Sequence, residues 1–219
     1  MGEPVPHDRR EPRRPQRRPA VARAELVLDA VERLLLRADP PDIGLPAIAR
    51  EAGIPLSSIY HLFPSTAAAF SGYVQRYAVL MDQEIEALLA GPLPETWQGI
   101  AERLLATVRG FYERHAALAR LVLSSTAPIA ARVADDRHIE QLSHRLAHEL
   151  YARFELAPQR ELPRRLAIAM AISDRVWAVG VDASGRIPDD LFGESVRAVQ
   201  GYLSHYLPQL LEPRAGGKT

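Results

Sequence analysis

Four polar side chains in the short segment 56–63 have the chemistry to recognise another molecule. They carry hydroxyl and imidazole groups: Ser57, Ser58, Tyr60 and His61. Ile59 and Phe63 lie four residues apart, so on a helix they share an inward face and leave the polar groups outside. Hydroxyls and imidazoles can donate to, and accept from, base edges and phosphates. The spacing therefore predicts a recognition surface on a helix, with Tyr60 at its edge within reach of a phosphate.

A second helix must hold this surface in place, and the preceding residues predict one. The apolar residues of segment 45–52 recur at i, i+3, i+4 and i+7: Leu45, Ile48, Ala49 and Ala52. Gly53 follows directly and can adopt the left-handed conformation that ends a helix. Pro55 suits the first turn of the next helix, where its missing N–H is no loss. Two short helices joined in this way form a helix-turn-helix, whose second helix can enter the major groove of DNA.

Taken together, these residues resemble the DNA-binding domain of TetR-type transcriptional repressors. The shared pattern is Ile48-Ala49, Ala52-Gly53-Ile54, Ile59-Tyr60, Phe63 and Pro64-Ser65, preceded by Val27–Leu35, which is similar to that family's first helix. It covers residues 22–75, and the remainder is similar only in length and helical character. The resemblance implies a homodimer that binds a pseudo-palindromic operator in double-stranded DNA and responds to a small-molecule effector.

Three positions depart from the pattern of that family. Thr66 stands where TetR-type proteins usually have a lysine that reaches a phosphate. Leu62 replaces the usual histidine, with His61 one residue earlier, and Gly44 opens the second helix in place of the frequent threonine. These differences leave the expected fold intact but weaken the expectation of a phosphate contact at Thr66.

Residues 1–19 are expected to form a disordered basic arm. The segment contains six arginines, five prolines and three acidic residues, with almost no apolar side chains to bury. One interpretation is a solvated tail. The other is an arm that follows phosphates or enters the minor groove, with Arg14, Arg17 and Arg18 as candidate contacts. The two interpretations are compatible, because such an arm orders only on DNA.

Apolar residues at spacings of three and four predict that the whole chain is helical. Besides the two helices of the motif, we expect helices over residues 20–38, 66–89, 95–114, 116–124, 128–134, 136–156, 161–182 and 189–207. No alternating strand pattern occurs, so the expected fold is all-α. It consists of an N-terminal three-helix DNA-binding domain over residues 20–66 and a C-terminal helical ligand-binding and dimerisation domain over residues 67–219.

The composition restricts the classes of partner and compartment. The chain of 219 residues carries 27 basic and 27 acidic residues, so attraction to DNA must be local. Without cysteine it has no disulfide, thiolate nucleophile or cysteine metal site. No apolar run reaches about 18 residues, and no apolar core of a signal peptide follows the arginine-rich start. We expect a cytoplasmic protein that needs neither a membrane nor a cofactor.

Signals for catalysis or metal binding are weak. No Gly-rich phosphate loop, HExxH motif or nucleophile elbow occurs, so we expect no enzyme. His144 and His148 lie at i and i+4, with His138 nearby, which can suit a metal, although solvated histidines are the simpler interpretation. Asp174-Arg175 interrupts the apolar run 166–181. Charges there must be paired or face a cavity, and a salt bridge and a pocket lining both stay open.

Two sets of residues in the second half are candidates for effector binding and dimerisation. Flexible, aromatic and polar side chains could line a cavity between helices: Met81, Trp97, Phe111, Tyr112, His115, Met170, Asp174 and Trp177. The resemblance to TetR-type proteins implies that the last two helices form a four-helix bundle with their copies in a second subunit, whereas the alternative is a helix hairpin within one chain. The small and apolar candidates for this contact are Ala171, Ala178, Val196, Val199, Leu203 and Tyr206.

Two functions are compatible with these features. The first is a ligand-responsive transcriptional regulator, acting as a repressor, that a small and mostly apolar effector releases from its operator. The second is a helical protein–protein adaptor with a degenerate helix-turn-helix that no longer binds DNA. The zero net charge and Thr66 favour the second function.

Overall fold

The part of the chain that the structure describes is built from α-helices. The computed structural model describes residues 17–124, 126–181 and 184–214. These ranges contain nine α-helices: α1 (Arg17–Leu35), α2 (Leu45–Ala52), α3 (Leu56–Leu62), α4 (Thr66–Ala90), α5 (Trp97–Arg114), α6 (Ala116–Leu123), α7 (Ile129–Arg153), α8 (Leu162–Trp177) and α9 (Asp189–Leu203). A single 3₁₀ turn, Pro40–Asp42, leads from α1 to α2. The all-α fold class that the sequence predicts is confirmed.

Helices α1, α2 and α3 form an N-terminal unit around one small apolar cluster. Val27 and Val31 of α1, Ile48 of α2 and Ile59 of α3 are each 0% exposed. Their burial follows from the helical spacing of apolar residues, because each helix presents one apolar stripe to the other two. The first turns of α4 add Phe70 to the same cluster.

Helices α4 to α9 form a C-terminal unit, and their buried side chains continue the apolar cluster of the N-terminal unit. Helix α7 packs on α4 and α8, while α9 packs on α8 and α5. Two tryptophans also bond across elements. Trp177 Nε1 donates to Ser195 Oγ at 2.9 Å, which joins α8 to α9. Trp97 Nε1 donates to the carbonyl oxygen of Pro208 at 2.8 Å, which joins α5 to the segment after α9.

Several helix boundaries differ from those expected from the sequence. Helix α1 begins at Arg17, inside the segment expected to be disordered, because Pro19 lies in the first turn and costs no hydrogen bond there. Residues 1–16, including Arg14, lie outside the described residues. The break expected near 135 does not occur, since neither glycine nor proline interrupts α7. Helices α8 and α9 end earlier than expected, at Trp177 and Leu203. The first of these ends with i→i+3 bonds that tighten the chain.

One arginine of α4 connects the two units. The Arg76 side chain is 18% exposed and pairs with three carboxylates of α1: Glu25 at 3.3 Å, Asp29 at 2.6 Å and Glu32 at 3.2 Å. Its guanidinium also lies over the rings of Tyr73 and Tyr77, 5.4 and 5.2 Å from their centroids. Since the α1 carboxylates lie at i, i+4 and i+7, the arginine holds a whole face of α1.

A second connection runs from α6 to the segment after α1. Arg120 of α6 pairs with Asp39 at 3.2 Å. Nearby, the His115 ring lies 4.8 Å from the Tyr77 ring and 4.5 Å from the Phe111 ring, measured between centroids. Helices α4, α5 and α6 therefore meet in an aromatic cluster one residue along α4 from Arg76.

Replacing Arg76 by methionine tests the connection between the units. Arg76→Met keeps most of the apolar stem but leaves the three α1 carboxylates facing one another without a cation. We expect the free energy of unfolding, measured with urea, to fall by about 2 kcal/mol, between the values for exposed and buried ion pairs. The control is Arg197→Met, because the Arg197–Glu194 pair is exposed on both sides. Equal losses in the two variants would contradict a special role for Arg76.

Candidate functional site

The turn between α2 and α3 sets the position of α3. Gly53 adopts φ 66° and ψ 27°, the left-handed conformation that a side chain would strain. Its N–H donates to the carbonyl oxygens of Ala49 and Arg50, and the Ile54 N–H donates to that of Ala49 at 3.1 Å. Ile59, fully buried, then holds the inner face of α3 against the N-terminal cluster. The helix-turn-helix predicted from the spacing is present.

Three of the predicted recognition residues form one exposed stripe on α3, called here the α3 stripe. Its members are Ser57, Tyr60 and His61, all exposed, and Tyr60 is 51% exposed. They lie at i, i+3 and i+4, which places them on one helical face. Ser58 is half-buried, so it is less accessible than the other three.

The start of α4 lies directly after this motif. Ser65 caps the helix, since its side chain accepts a hydrogen bond from the Ala68 N–H at 3.1 Å. Thr66 is the first residue of α4 and is half-buried. The unpaired N–H groups and the dipole at a helix start favour an anion. Part of the attraction that a lysine would supply can therefore come from the backbone.

The end of α2 is held against α1 by two arginines. The Glu51 carboxylate pairs with Arg33 at 2.6 Å and with Arg37 at 2.7 Å. The Arg33 hydrogen bond, followed by that of Arg37, lowers the pKa of Glu51 below its ordinary value. Arg50, one residue before Glu51, is exposed beside the turn. Glu51 therefore stays ionised and braces α2, while Arg50 adds positive charge beside the α3 stripe.

An apolar cavity lies between the helices of the C-terminal unit. Its volume is about 60 Å³, and side chains from α4, α5, α7, α8 and α9 contribute to its walls. Most of the lining is aliphatic or aromatic, and the wall includes Trp97 and Met170. Glu149 and Arg153 are its charged residues. They pair with each other at 3.6 Å, and Arg153 also donates to the Leu89 carbonyl oxygen at 2.8 Å.

A second, more polar cavity of about 50 Å³ adjoins the apolar one, and both are lined by Leu104, Leu105 and Met170. Its polar lining residues come from α5, α7 and α8: Tyr112, Asp135, His138, Ser173 and Asp174. On its outer side, Asp135 and Asp174 also line a groove of about 300 Å³ between α6, α7 and α8. These two carboxylates therefore stand between the outer groove and the interior of the C-terminal unit.

The surroundings of these two carboxylates disfavour their charged forms. Burial raises the pKa of Asp135 to about 6, with a smaller contribution from Asp136, while His138 acts in the opposite direction. Burial and then the charge of Asp135 raise the pKa of Asp174 above its ordinary value, although Arg175 counteracts this in part. Two carboxylates whose negative charges repel each other therefore line the same cavity.

Metal and membrane sites find no support among the described residues. In those residues, no three His, Asp or Glu side chains converge as metal ligands. His144 and His148 are exposed, and the His138 ring bonds to Asp82 at 2.9 Å. None of the described helices combines the length and hydropathy that crossing a bilayer requires.

Sequence comparison finds relatives for part of the chain. No protein-family model matches it. Two uncharacterized HTH-type transcriptional regulators of Mycobacterium tuberculosis, from strains CDC 1551 and H37Rv, are each 35% identical to it over 85 residues. The match covers 39% of this chain and 40% of each relative, so the chain spans less than half the length of these curated relatives.

Solved structures are similar over most of the chain. A TetR-family transcriptional regulator from Streptomyces coelicolor matches 86% of this chain and 99% of its own, with a TM-score of 0.63 and 21% identity. One from Pectobacterium atrosepticum matches 91% of this chain and 100% of its own, with a TM-score of 0.64 and 17% identity. This chain has the TetR fold. The proteins compared are regulators of transcription rather than enzymes.

Within this TetR fold, five of the predicted effector residues line the cavities: Met81, Trp97, Tyr112, Met170 and Asp174. The other three line none of the cavities described above. Phe111 and Trp177 are 0% exposed and belong to the core. His115 ends α5 and stacks in the aromatic cluster, where burial lowers its pKa. Residue size does not distinguish the two roles, because large aromatic side chains fill a core as often as they line a cavity.

The predicted dimer residues also divide into buried residues and residues with exposed surface. Val199 and Leu203 are 4% and 3% exposed in this chain and line the apolar cavity, so they offer little surface to a second subunit. They face the core of their own subunit because the apolar stripe of α9 packs on α8 and α5. Ala171 is exposed, and Ala178, Val196 and Tyr206 are half-buried. Instead, Ile168 and Val179 of the α8 segment stand out as 39% and 77% exposed.

Asp135 was missed in the sequence. It falls between the helices that the sequence predicts over residues 128–134 and 136–156. In the continuous α7, Asp135 lies three residues before His138 and seven before Leu142, on the face that lines the polar cavity. The available signal was this helical spacing toward buried residues, which becomes visible only when α7 is taken as one helix.

The raised pKa of Asp135 predicts a pH-dependent stability difference. Below its ordinary pKa of 3.8 the carboxyl is protonated in both states, whereas above about 6 the folded protein must hold a partly desolvated charge that the unfolded chain solvates fully. Asp135→Asn removes that cost. We expect it to stabilise the protein by about 1–2 kcal/mol at pH 8, with the gain shrinking at pH 4, as measured by urea denaturation.

The matched control for this experiment is Glu140→Gln, an exposed carboxylate on the same helix. It should leave the stability nearly unchanged at both pH values. A gain for Asp135→Asn that is equal at pH 4 and pH 8 would show that packing, rather than ionisation, causes it.

Proposed function

We propose that this protein is an effector-responsive transcriptional regulator that binds double-stranded DNA through α3. The observation that supports this most directly is the α3 stripe, a row of exposed hydrogen-bonding groups on a helix with a locked inner face. In helix-turn-helix proteins the second helix lies in the major groove. Ser57 and His61 can contact base edges there, while Tyr60 at the edge can reach a phosphate.

Phosphate attraction must come from local charge, because the chain is neutral as a whole. Arg50 is exposed beside the turn. The arm that we propose before α1 supplies further arginines, among them Arg14, and the first turn of α1 contains Arg17 and Arg18. The start of α4 at Thr66 offers backbone N–H groups and a hydroxyl. This arrangement compensates in part for the absence of the lysine that TetR-type proteins usually have there.

A homodimer through the α8 and α9 side of the C-terminal unit is the assembly that we propose. Ile168, Ala171 and Val179 are exposed and lie on one face of α8 and its extension. Exposed apolar side chains that cluster on one face favour a protein–protein contact. A symmetric dimer would present two α3 helices to a pseudo-palindromic operator, with half-sites about 34–36 Å apart.

The path from effector to DNA runs through α4. Met81 of α4 lines the polar cavity, while Tyr77 one turn earlier stacks on His115 and Arg76 pairs with α1. A ligand that shifts α4 would therefore shift the N-terminal unit. It would favour the form with misplaced recognition helices and release the operator, by no more than its differential affinity for the two forms. This is the behaviour of a repressor.

DNA binding is tested first with the native protein and then with two α3 variants. In a filter-binding assay on genomic fragments, including the region upstream of its own gene, the protein should retain a specific subset of the fragments. Ser57→Ala should then change the preference among sequences by about 1–3 kcal/mol, whereas Tyr60→Phe should weaken all sequences alike. Uniform losses in both variants would contradict this division between base and phosphate contacts. Failure to retain any fragment would favour the adaptor function instead.

The dimer is tested by placing a charge in the exposed turn that follows α8. Val179→Glu should produce monomers in sedimentation velocity and weaken operator binding, because a buried carboxylate at an apolar contact is costly. Val79→Glu is the control, since Val79 is also exposed, at 58%, but lies on α4. If Val79→Glu dissociates the dimer and Val179→Glu does not, the interface lies on α4.

A further inference from the structure

Two carboxylates occupy an unusual position in the C-terminal unit. Asp135 of α7 and Asp174 of α8 line both the polar cavity and the outer groove. Among the described residues, no hydrogen bond and no ion pair reaches either carboxylate. Arg175, adjacent in sequence to Asp174, is exposed and only partly offsets its charge. His138 likewise offsets Asp135 only in part. An acidic pair that is incompletely compensated in a cavity costs free energy that a bound cation would relieve.

The space around this pair has a polar and an apolar end. The polar cavity shares the lining residues Leu104, Leu105 and Met170 with the apolar cavity, so these side chains lie at the boundary between the two. Methionine and leucine can change rotamer, and methionine in particular adapts to irregular shapes. A single ligand could thus place a polar head at the carboxylates and an apolar body beyond Met170.

We infer that Asp135 and Asp174 bind the cationic head of an amphipathic effector, an amine or a guanidinium, whose short apolar body occupies the adjoining cavity. The proposal rests on the effector site of the proposed function and names the class of effector that the site takes. The outer groove, with about 300 Å³ and both carboxylates at its inner wall, is the route of entry.

The charges in the two cavities favour a cation over an anion. Arg153 is the positive group of the apolar cavity, but its bonds to Glu149 and to the Leu89 carbonyl oxygen occupy it. The Tyr112 hydroxyl faces the same space as the carboxylates, and their charges raise its pKa further beyond the effect of burial. Tyr112 therefore stays a neutral phenol, which can accept a hydrogen bond from a bound ammonium group while a carboxylate holds the charge.

Three probes with the same alkyl chain test the head group. Octylamine, octan-1-ol and octanoate are titrated into the full-length protein by isothermal titration calorimetry at pH 7.5. We expect octylamine to bind about tenfold more tightly than octan-1-ol, the ratio expected of one charge-assisted hydrogen bond in a partly buried site. Octanoate should bind least. Equal binding of the amine and the alcohol would overturn the inference, as would tightest binding of octanoate, which would place the head at Arg153.

Variants assign the preference to the two carboxylates. Asp174→Asn and Asp135→Asn should each reduce the preference for octylamine over octan-1-ol severalfold, because an amide cannot neutralise the ammonium charge. Octan-1-ol should still bind both variants, which shows that the cavity is intact. Glu140→Gln, on the exposed face of α7, should keep the preference of the native protein. A preference that survives in both aspartate variants would overturn the inference, and so would the absence of binding by all three probes.

The same titrations separate this inference from the proposed function. If octylamine binds with the expected preference and also weakens operator binding, both stand. If it binds with that preference but leaves the affinity for DNA unchanged, the cation site stands and the link between cavity and DNA fails.

Discussion

The pairing of Arg76 with α1 is the interaction on which the two halves of this protein depend. One side chain of α4 pairs with Glu25, Asp29 and Glu32, so a displacement of α4 relative to α1 would disrupt three ion pairs at once. The apolar cluster that includes Ile48 and Ile59 connects α1 in turn to α3. Because the arginine is mostly buried and stacked on two tyrosines, the connection is stiff.

The two carboxylates in the C-terminal unit, unlike those that pair with Arg76, make no ion pair among the described residues. At Arg76 each carboxylate has a cation, whereas Asp135 and Asp174 face each other and a cavity. The first arrangement stabilises one orientation of two helices. The second leaves a local cost at the junction of α5, α7 and α8, close to Met81 of α4. Functional sites commonly contain such unfavourably placed charges. A ligand that neutralises them gains binding free energy.

The sequence predicted the N-terminal unit well because its signals are local. The apolar stripe of α2, the left-handed Gly53 and the spacing of Ile59 and Phe63 depend on neighbours in the chain, and the structure contains each of them. The C-terminal unit was harder, since α6 to α9 have long apolar runs with many possible partners. Val199 and Leu203 show the difficulty: apolar residues on α9 fit an intermolecular bundle and a subunit core equally well until the neighbours of α9 are known.

By itself, the sequence determined the all-α class, the helix-turn-helix and the exposed polar face of α3, because helical periodicity and turn chemistry are properties of a single segment. Tertiary structure decided which apolar side chains line a cavity and which fill the core, so Trp97 and Met170 became lining residues while Phe111 and Trp177 did not. It also brought Asp135 of α7 beside Asp174 of α8, 39 positions apart in the chain. No local pattern encodes that meeting, because it depends on how α7 and α8 pack.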